Sequence, residues 1–219
     1  MRIMTVVGAR PQFIKAATIS RVIKKSHQSE IKEIIVHTGQ HYDENMSSVF
    51  FNQLEIPKPE YNLEISGESH GAMTGKMLEG IETVIKKEKP NYLLVYGDTN
   101  STLAGALAAA KLQVPIAHVE SGLRSYNMKM PEEINRILTD RVSKLLFCPT
   151  DEAVRNLSQE GIINGVFNVG DVMYDAAIFY RNRVDKKSNI LAKLNLNSGE
   201  YVLATCHRAE NTDDPSRLM

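Results

Sequence analysis

The chain has 219 residues, 42% hydrophobic and 24% charged, enough to bury a sizeable core in one large domain or two small ones. Lys+Arg and Asp+Glu both number 26, so the formal net charge is zero. That argues against nucleic acid or an acidic membrane as the main partner, since both need a basic face, but leaves room for a local basic pocket. Cys148 and Cys206 are far apart and lack Cys-x-x-Cys or Cys/His ligand spacing. Neither a disulfide framework nor a structural zinc site is expected, and a reducing cytoplasm is the default location.

The opening run from Met1 to Gly8 turns polar at Arg10. It is too short for a signal peptide or a membrane span and reads as a buried first strand. Further buried-strand patterns follow at Ile34–His37, Leu93–Tyr96, Ile116–Val119, Leu145–Cys148 and Val166–Val169, mostly without polar alternation. Helical stretches separate them near Pro11–Lys25, Glu44–Asn52, Ser69–Glu88, Ser101–Leu112, Pro131–Arg141 and Asp151–Gln159. This alternation predicts a doubly wound α/β domain with a parallel, Rossmann-like sheet. The first domain is expected to cover residues 1–170. A helix from Val172 to about Val184 leads into a second, truncated domain, residues 171–219, that includes a buried-type strand at Tyr201–Cys206.

In an open parallel sheet, ligands sit beyond the carboxyl ends of the strands. After the first strand comes Gly8-Ala9-Arg10-Pro11, where Arg10 beside a helix N-terminus favours an anion. A plain glycine turn with a surface arginine explains the segment equally well. No second or third glycine follows, so the GxGxxG fingerprint is absent and a bound nicotinamide cofactor is not indicated. Gln40-His41-Tyr42-Asp43 follows the second strand as either a ligand contact or an ordinary turn capped by Asp43.

Asp98 and Glu120 end the Leu93–Tyr96 and Ile116–Val119 strands. On neighbouring strands, about 5 Å apart, the two carboxylates would resist ionising together, which suits proton abstraction and donation. The simpler reading is that Asp98 or Ser101 caps the next helix. Pro131-Glu132-Glu133 places two acids in a first turn, and Glu132 has the spacing to pair with Arg136 along the helix. His118 reads as a satisfied core histidine. His207 and Arg208 end the Tyr201–Cys206 segment and bring a titratable group and a cation to an interdomain cleft.

Five segments occur in order along the chain: Gly8-Ala9-Arg10-Pro11 with Lys15, Gly97-Asp98-Thr99, His118-Val119-Glu120-Ser121-Gly122-Leu123-Arg124, Pro131-Glu132-Glu133-Ile134-Asn135-Arg136 and His207-Arg208-Ala209-Glu210-Asn211. Together they resemble the non-hydrolysing UDP-N-acetylglucosamine 2-epimerases. The resemblance implies the N-terminal half of a two-domain glycosyltransferase-B fold, with the truncated second domain binding UDP. It implies a homodimer that needs no cofactor and no metal. The implied substrate is a UDP-sugar, epimerised at C2 by elimination and re-addition of UDP for cell-surface polysaccharide precursors. It assigns Asp98, Glu120, Glu132 and His207 as catalytic, and Arg10, Lys15, Arg136 and Arg208 as substrate-binding. Gln40 and His41 mark a candidate regulatory site. There Tyr42–Met46 departs from the pattern of regulated members, which implies hyperbolic dependence on substrate. That departure, and a short Ser125–Met130 segment, resemble the branch acting on UDP-2,3-diacetamido-2,3-dideoxyglucuronate. A glycosyltransferase of the same fold is the other alternative. The 219-residue chain alone is expected to be inactive.

Overall fold

The computed structural model describes residues 1–39, 58–187, 190–205 and 215–217. Seven parallel strands form one sheet: β1 (Arg2–Val7), β2 (Lys32–His37), β3 (Tyr61–Asn62), β4 (Tyr92–Tyr96), β5 (Ile116–Val119), β6 (Leu145–Cys148) and β7 (Val166–Asn168). Their order is β3-β2-β1-β4-β5-β6-β7, so winding reverses between β1 and β4. This is the doubly wound, Rossmann-like arrangement the strand–helix alternation predicts.

The strands are apolar because both faces are covered. Leu93 and Val95 point into one cluster with Met4 and Val6. Leu94 and Tyr96 point into the other with Val7 and Ile35. On the first face lie α2 (His70–Glu88) and α3 (Asn100–Lys111), which contribute Met77, Ile81, Ala104 and Ala108. On the second lies α1 (Arg10–Ser26), with Phe13, Ala16 and Ala17. Two further helices, α4 (Pro131–Val142) and α5 (Asp151–Gln159), follow β5 and β6. Helix starts are set by hydroxyl caps, with Thr99 Oγ1 accepting from Thr102 N–H at 3.3 Å and Thr150 Oγ1 from Ala153 N–H at 3.2 Å. The cap of α3 is therefore Thr99, which frees Asp98 from the capping role.

The two-residue β3 was not expected. Its continuation holds to the edge through Leu63 N–H to His37 O at 2.8 Å and Ile65 N–H to Thr38 O at 2.9 Å. The Glu44–Asn52 helix lies outside the described residues.

The chain divides into two compact units, Met1–Ile178 and Phe179–Met219. The boundary falls within α6 (Val172–Lys187). The second unit also contains α7 (Ile190–Lys193) and a 3-10 turn at Pro215–Arg217. The strand expected from Tyr201 does not form: residues 201–205 have no regular structure, and Val202 and Leu203 are 94% and 84% exposed. A parallel strand needs a partner for its ladder, and among the described residues all seven strands of the sheet lie between Arg2 and Asn168. Among the described residues no helix is long and apolar enough to cross a membrane.

Candidate active site

The loops after β1, β4 and β5 meet at the reversal of strand order. The first is secured by Gln12, which is buried in the first turn of α1. Its Oε1 accepts from Gly8 N–H at 2.8 Å and Ala9 N–H at 3.0 Å. Its Nε2 donates to Tyr96 O at 3.0 Å and Thr102 Oγ1 at 2.9 Å. One amide thus joins the β1 loop, the end of β4 and the start of α3. Gly8 has no alternative, because a Cβ there would collide with Ser101 Oγ and Thr38 Oγ1. Nothing in the spacing marked Gln12 except its place three residues after the turn.

Lys15, one turn further along α1, is buried and forms an ion pair with Glu120 at the end of β5. Gly97 makes room for that pair, since a Cβ would sit 3.1 Å from both Glu120 Oε2 and Lys15 Nζ. Glu120 has φ of 71°. A left-handed glutamate is strained by about 1–3 kcal/mol, a cost typically found where function holds a residue in place. Asp98, two residues after β4, pairs with Arg136 of α4. Its backbone carbonyl accepts from Asn135 Nδ2 at 2.9 Å.

Asp98 and Glu120 therefore do follow adjacent strands, β4 and β5, as expected. The expected mutual repulsion is offset, however, because each carboxylate has its own cation, brought by a different helix. Lys15 and Arg136, expected to bind substrate, are the same two cations. In this state they hold the acids, and each acid remains partly exposed, its side chain 34% accessible for Asp98 and 20% for Glu120. Arg10 is exposed in the first turn of α1.

The Pro131-Glu132-Glu133 segment divides between two environments. Glu132 is exposed and its carboxylate makes no ion pair among the described residues, so the expected Glu132–Arg136 pair does not form. Arg136 instead donates to Glu133 at 3.1 Å as well as to Asp98. Glu133 is buried and accepts from Ser125 N–H at 3.0 Å, Ser125 Oγ at 2.9 Å and Tyr126 N–H at 2.8 Å. Burial opposes its charge, but these donors and Arg136 outweigh burial and hold its carboxyl below the usual range. A depressed folded-state value stabilises the protein above the unfolded value near about 4.3 and is lost as pH falls through the folded one. We expect the urea midpoint of the wild-type chain to drop below about pH 4, with a shallower drop in Glu133→Gln. Parallel curves for the two proteins would remove Glu133 as a source of that slope.

His118 is a satisfied core histidine, as expected: Nε2 lies 2.7 Å from Gly97 O and Nδ1 lies 2.7 Å from Asp140 Oδ1. Arg124 is also structural, donating to Asp140 at 2.8 Å and in bidentate fashion to Glu160 at 2.6 and 2.9 Å. Asp140 was missed from sequence. Its signal was the i, i+3, i+7 spacing of Glu133, Arg136 and Asp140 on one helix face. His207 and Arg208, and Gln40 and His41, lie outside the described residues. Among the described residues, no three His, Cys, Asp or Glu side chains converge in a way that would hold a metal ion.

The sheet order, with acids gathered at its reversal, defines a doubly wound Rossmann-like unit. A lipopolysaccharide outer core galactosyltransferase shares it at TM-score 0.51 and 9% identity, a likeness of fold alone. Residues 24–219 match the family model described as UDP-N-acetylglucosamine 2-epimerase, and the chain belongs to that family. It is 60% identical to the UDP-2,3-diacetamido-2,3-dideoxy-D-glucuronate 2-epimerase of Pseudomonas aeruginosa, over 100% of this chain and 60% of that protein. It is 48% identical to the UDP-N-acetylglucosamine 2-epimerase of Methanocaldococcus jannaschii, with the same shares. The crystal structure of a Methanocaldococcus jannaschii UDP-GlcNAc 2-epimerase in complex with UDP-GlcNAc and UDP superimposes at TM-score 0.91 and 47% identity, covering 100% of this chain and 60% of that one. The chain thus spans about 60% of the length of these relatives.

Proposed function

We propose that the full-length protein inverts C2 of a UDP-2-acetamido sugar, converting UDP-N-acetylglucosamine to UDP-N-acetylmannosamine or acting on a close analogue. The observation that carries this reading is the pairing of Asp98 with Arg136 and of Glu120 with Lys15 at the sheet's reversal. A carboxylate takes the C2 proton while the C1–O bond breaks and its electron pair leaves on UDP, forming a C1=C2 double bond. A second group returns a proton to the opposite face of C2 as the diphosphate oxygen re-forms the bond to C1. The chemistry needs two proton-handling groups around C2 and cations for the departing diphosphate. Asp98, Glu120 and Glu132 supply candidates for the first role. Lys15, Arg10 and Arg136 supply candidates for the second, and His207 and Arg208, outside the described residues, are further candidates by resemblance. Residues 1–170 form the first domain in this reading, and residues from 171 begin a second, UDP-binding one. The protein acts in the cytoplasm as a homodimer.

A second reading, UDP-2,3-diacetamido-2,3-dideoxyglucuronate as substrate, is favoured by the 60% identity to the Pseudomonas aeruginosa enzyme. Steady-state conversion of the two substrates by the full-length protein separates them. A kcat/KM at least about tenfold higher for the uronate assigns that branch, and the reverse ratio assigns UDP-N-acetylglucosamine. Conversion of neither would sink the proposal.

A further inference from the structure

The sheet ladder ends at the acids: Glu120 N–H still donates to Phe147 O of β6 at 3.0 Å, whereas Asp98 lies beyond the last rung between β4 and β5. Its last rung near Asp98 is Gly97 N–H to Val119 O at 3.0 Å. Beyond it the two chains turn away with Gly97 at φ 61°, Glu120 at 71° and Gly122 at 78°. Among the described residues no backbone hydrogen bond joins Asp98 to Glu120 directly, so side-chain hydrogen bonds add to what sets their spacing.

A chain of buried hydrogen bonds spans this gap. Gly97, immediately before Asp98, accepts from His118 Nε2 through its carbonyl at 2.7 Å. His118 Nδ1 reaches Asp140 Oδ1 at 2.7 Å. The other oxygen of Asp140 accepts from Gly122 N–H at 3.1 Å, two residues after Glu120, and from Arg124 Nη1 at 2.8 Å. Gly122 is held from its other side, where its carbonyl accepts from Asn156 Nδ2 at 2.9 Å. The side chains of His118 and Asp140 are wholly buried, and that of Arg124 is 1% exposed.

The hydrogen inventory of this chain is restrictive. A backbone carbonyl only accepts, and so does a carboxylate. Burial works against the charge on Asp140, but His118 and Arg124 outweigh it and keep the carboxyl below its usual range. Both ring nitrogens of His118 face oxygen atoms, a backbone carbonyl on one side and a carboxyl on the other. A neutral ring has one N–H and would leave Gly97 O or Asp140 Oδ1 with a lone pair facing a bare nitrogen, out of reach of water.

We propose that His118 is a positioning residue, a doubly protonated imidazolium that with Asp140 ties the Gly97 carbonyl to the Gly122 N–H and so sets the relative placement of Asp98 and Glu120. It touches no substrate. Its effect passes through two backbone groups, one on each loop.

Two experiments test this, and only the kinetic one rests on the epimerase reading. In the 219-residue chain with ¹⁵N-labelled histidine, the buried His118 ring should show a hydrogen on both nitrogens at neutral pH by NMR. One bare nitrogen on that ring would overturn the proposal whatever the protein catalyses. In the full-length protein, His118→Gln keeps one side-chain donor nitrogen and His118→Phe keeps none. Since misplacement by about 1 Å can cost on the order of a hundredfold, kcat per folded molecule should fall from wild type to Gln to Phe, by up to about a hundredfold, with KM nearly unchanged. Folded variants with a lowered Tm and an undiminished kcat would show His118 to be structural only and would overturn it. Failure of the wild type to act on any UDP-2-acetamido sugar would refute the epimerase reading and leave the NMR result to judge His118.

Discussion

Glu120→Gln in the full-length protein is expected to cut turnover about a hundredfold or more while the fold persists, and Asp98→Asn to do the same. In the proposed reading each change removes a proton-handling group, and it leaves a cation, Lys15 or Arg136, facing a neutral amide. The two cations differ in what they have left. Arg136 keeps Glu133 at 3.1 Å, so Asp98→Asn should cost little stability. Lys15 is buried and has no second acid in its ion pairing among the described residues, so Glu120→Gln should also lower the urea midpoint measurably. Circular dichroism and urea titration beside the kinetics will show this. Near-normal turnover in either variant would return that carboxylate to a loop-holding role.

The largest stability effect is expected from Asp140→Ala. It removes the acceptor shared by His118, Arg124 and Gly122 N–H, leaves the wholly buried His118 ring without its acid, and leaves Arg124, whose side chain is 1% exposed, with Glu160 as its remaining acid. Burial acts against the charge on Arg124, but Glu160 and Asp140 together more than offset that and push its pKa up, which leaves deprotonation closed as a way out. Breaking a buried pair in this way costs about 3–5 kcal/mol. Replacing Glu152, whose pair with Arg155 is on the surface, should cost about 0–1 kcal/mol. Urea unfolding of both variants checks the contrast, and equal losses would show that the His118–Asp140–Arg124 chain contributes nothing beyond a surface pair.

The sheet was legible because its strands are short apolar runs between helical segments, and a strand buried on both faces has few other readings. Leu93–Tyr96 and Ile116–Val119 show this, with the expected termini confirmed to within a residue. The edge strand β3 was not legible, since two residues of pairing leave no periodic signal. Tyr201–Cys206 shows the opposite failure: an apolar β-branched run states a propensity, but pairing depends on a partner the run itself does not encode.

The acids at the strand ends were legible for the same topological reason, and their partners were not. α4 carries two coherent faces. Ile134, Leu138 and Val142 make an i, i+4, i+8 apolar stripe, while Glu133, Arg136 and Asp140 make a charged one. Amphipathic logic sends the apolar stripe inward. The structure does the reverse, leaving Ile134, Leu138 and Val142 40%, 43% and 37% exposed and burying Glu133 and Asp140. The charged face goes inward because the loop after β5 offers it N–H groups and a cation, through Ser125, Tyr126, Gly122 and Arg124, and the loop after β4 offers Asp98 to Arg136. Sequence spacing showed that Glu132 and Arg136 share a face but not that Glu133, one residue on, meets the loop.

The most direct test of the whole account is hydrogen exchange at C2. The full-length protein is incubated in heavy water with UDP-N-acetylglucosamine, and in parallel with the 2,3-diacetamido uronate, without any acceptor, and followed by NMR. Deuterium entering at C2 of substrate and epimer, at a rate abolished by Glu120→Gln or Asp98→Asn, is the predicted result. Retention of the C2 proton in both sugars, with UDP released only when an acceptor is added, would identify a glycosyltransferase and contradict the assignment of proton transfer to these carboxylates.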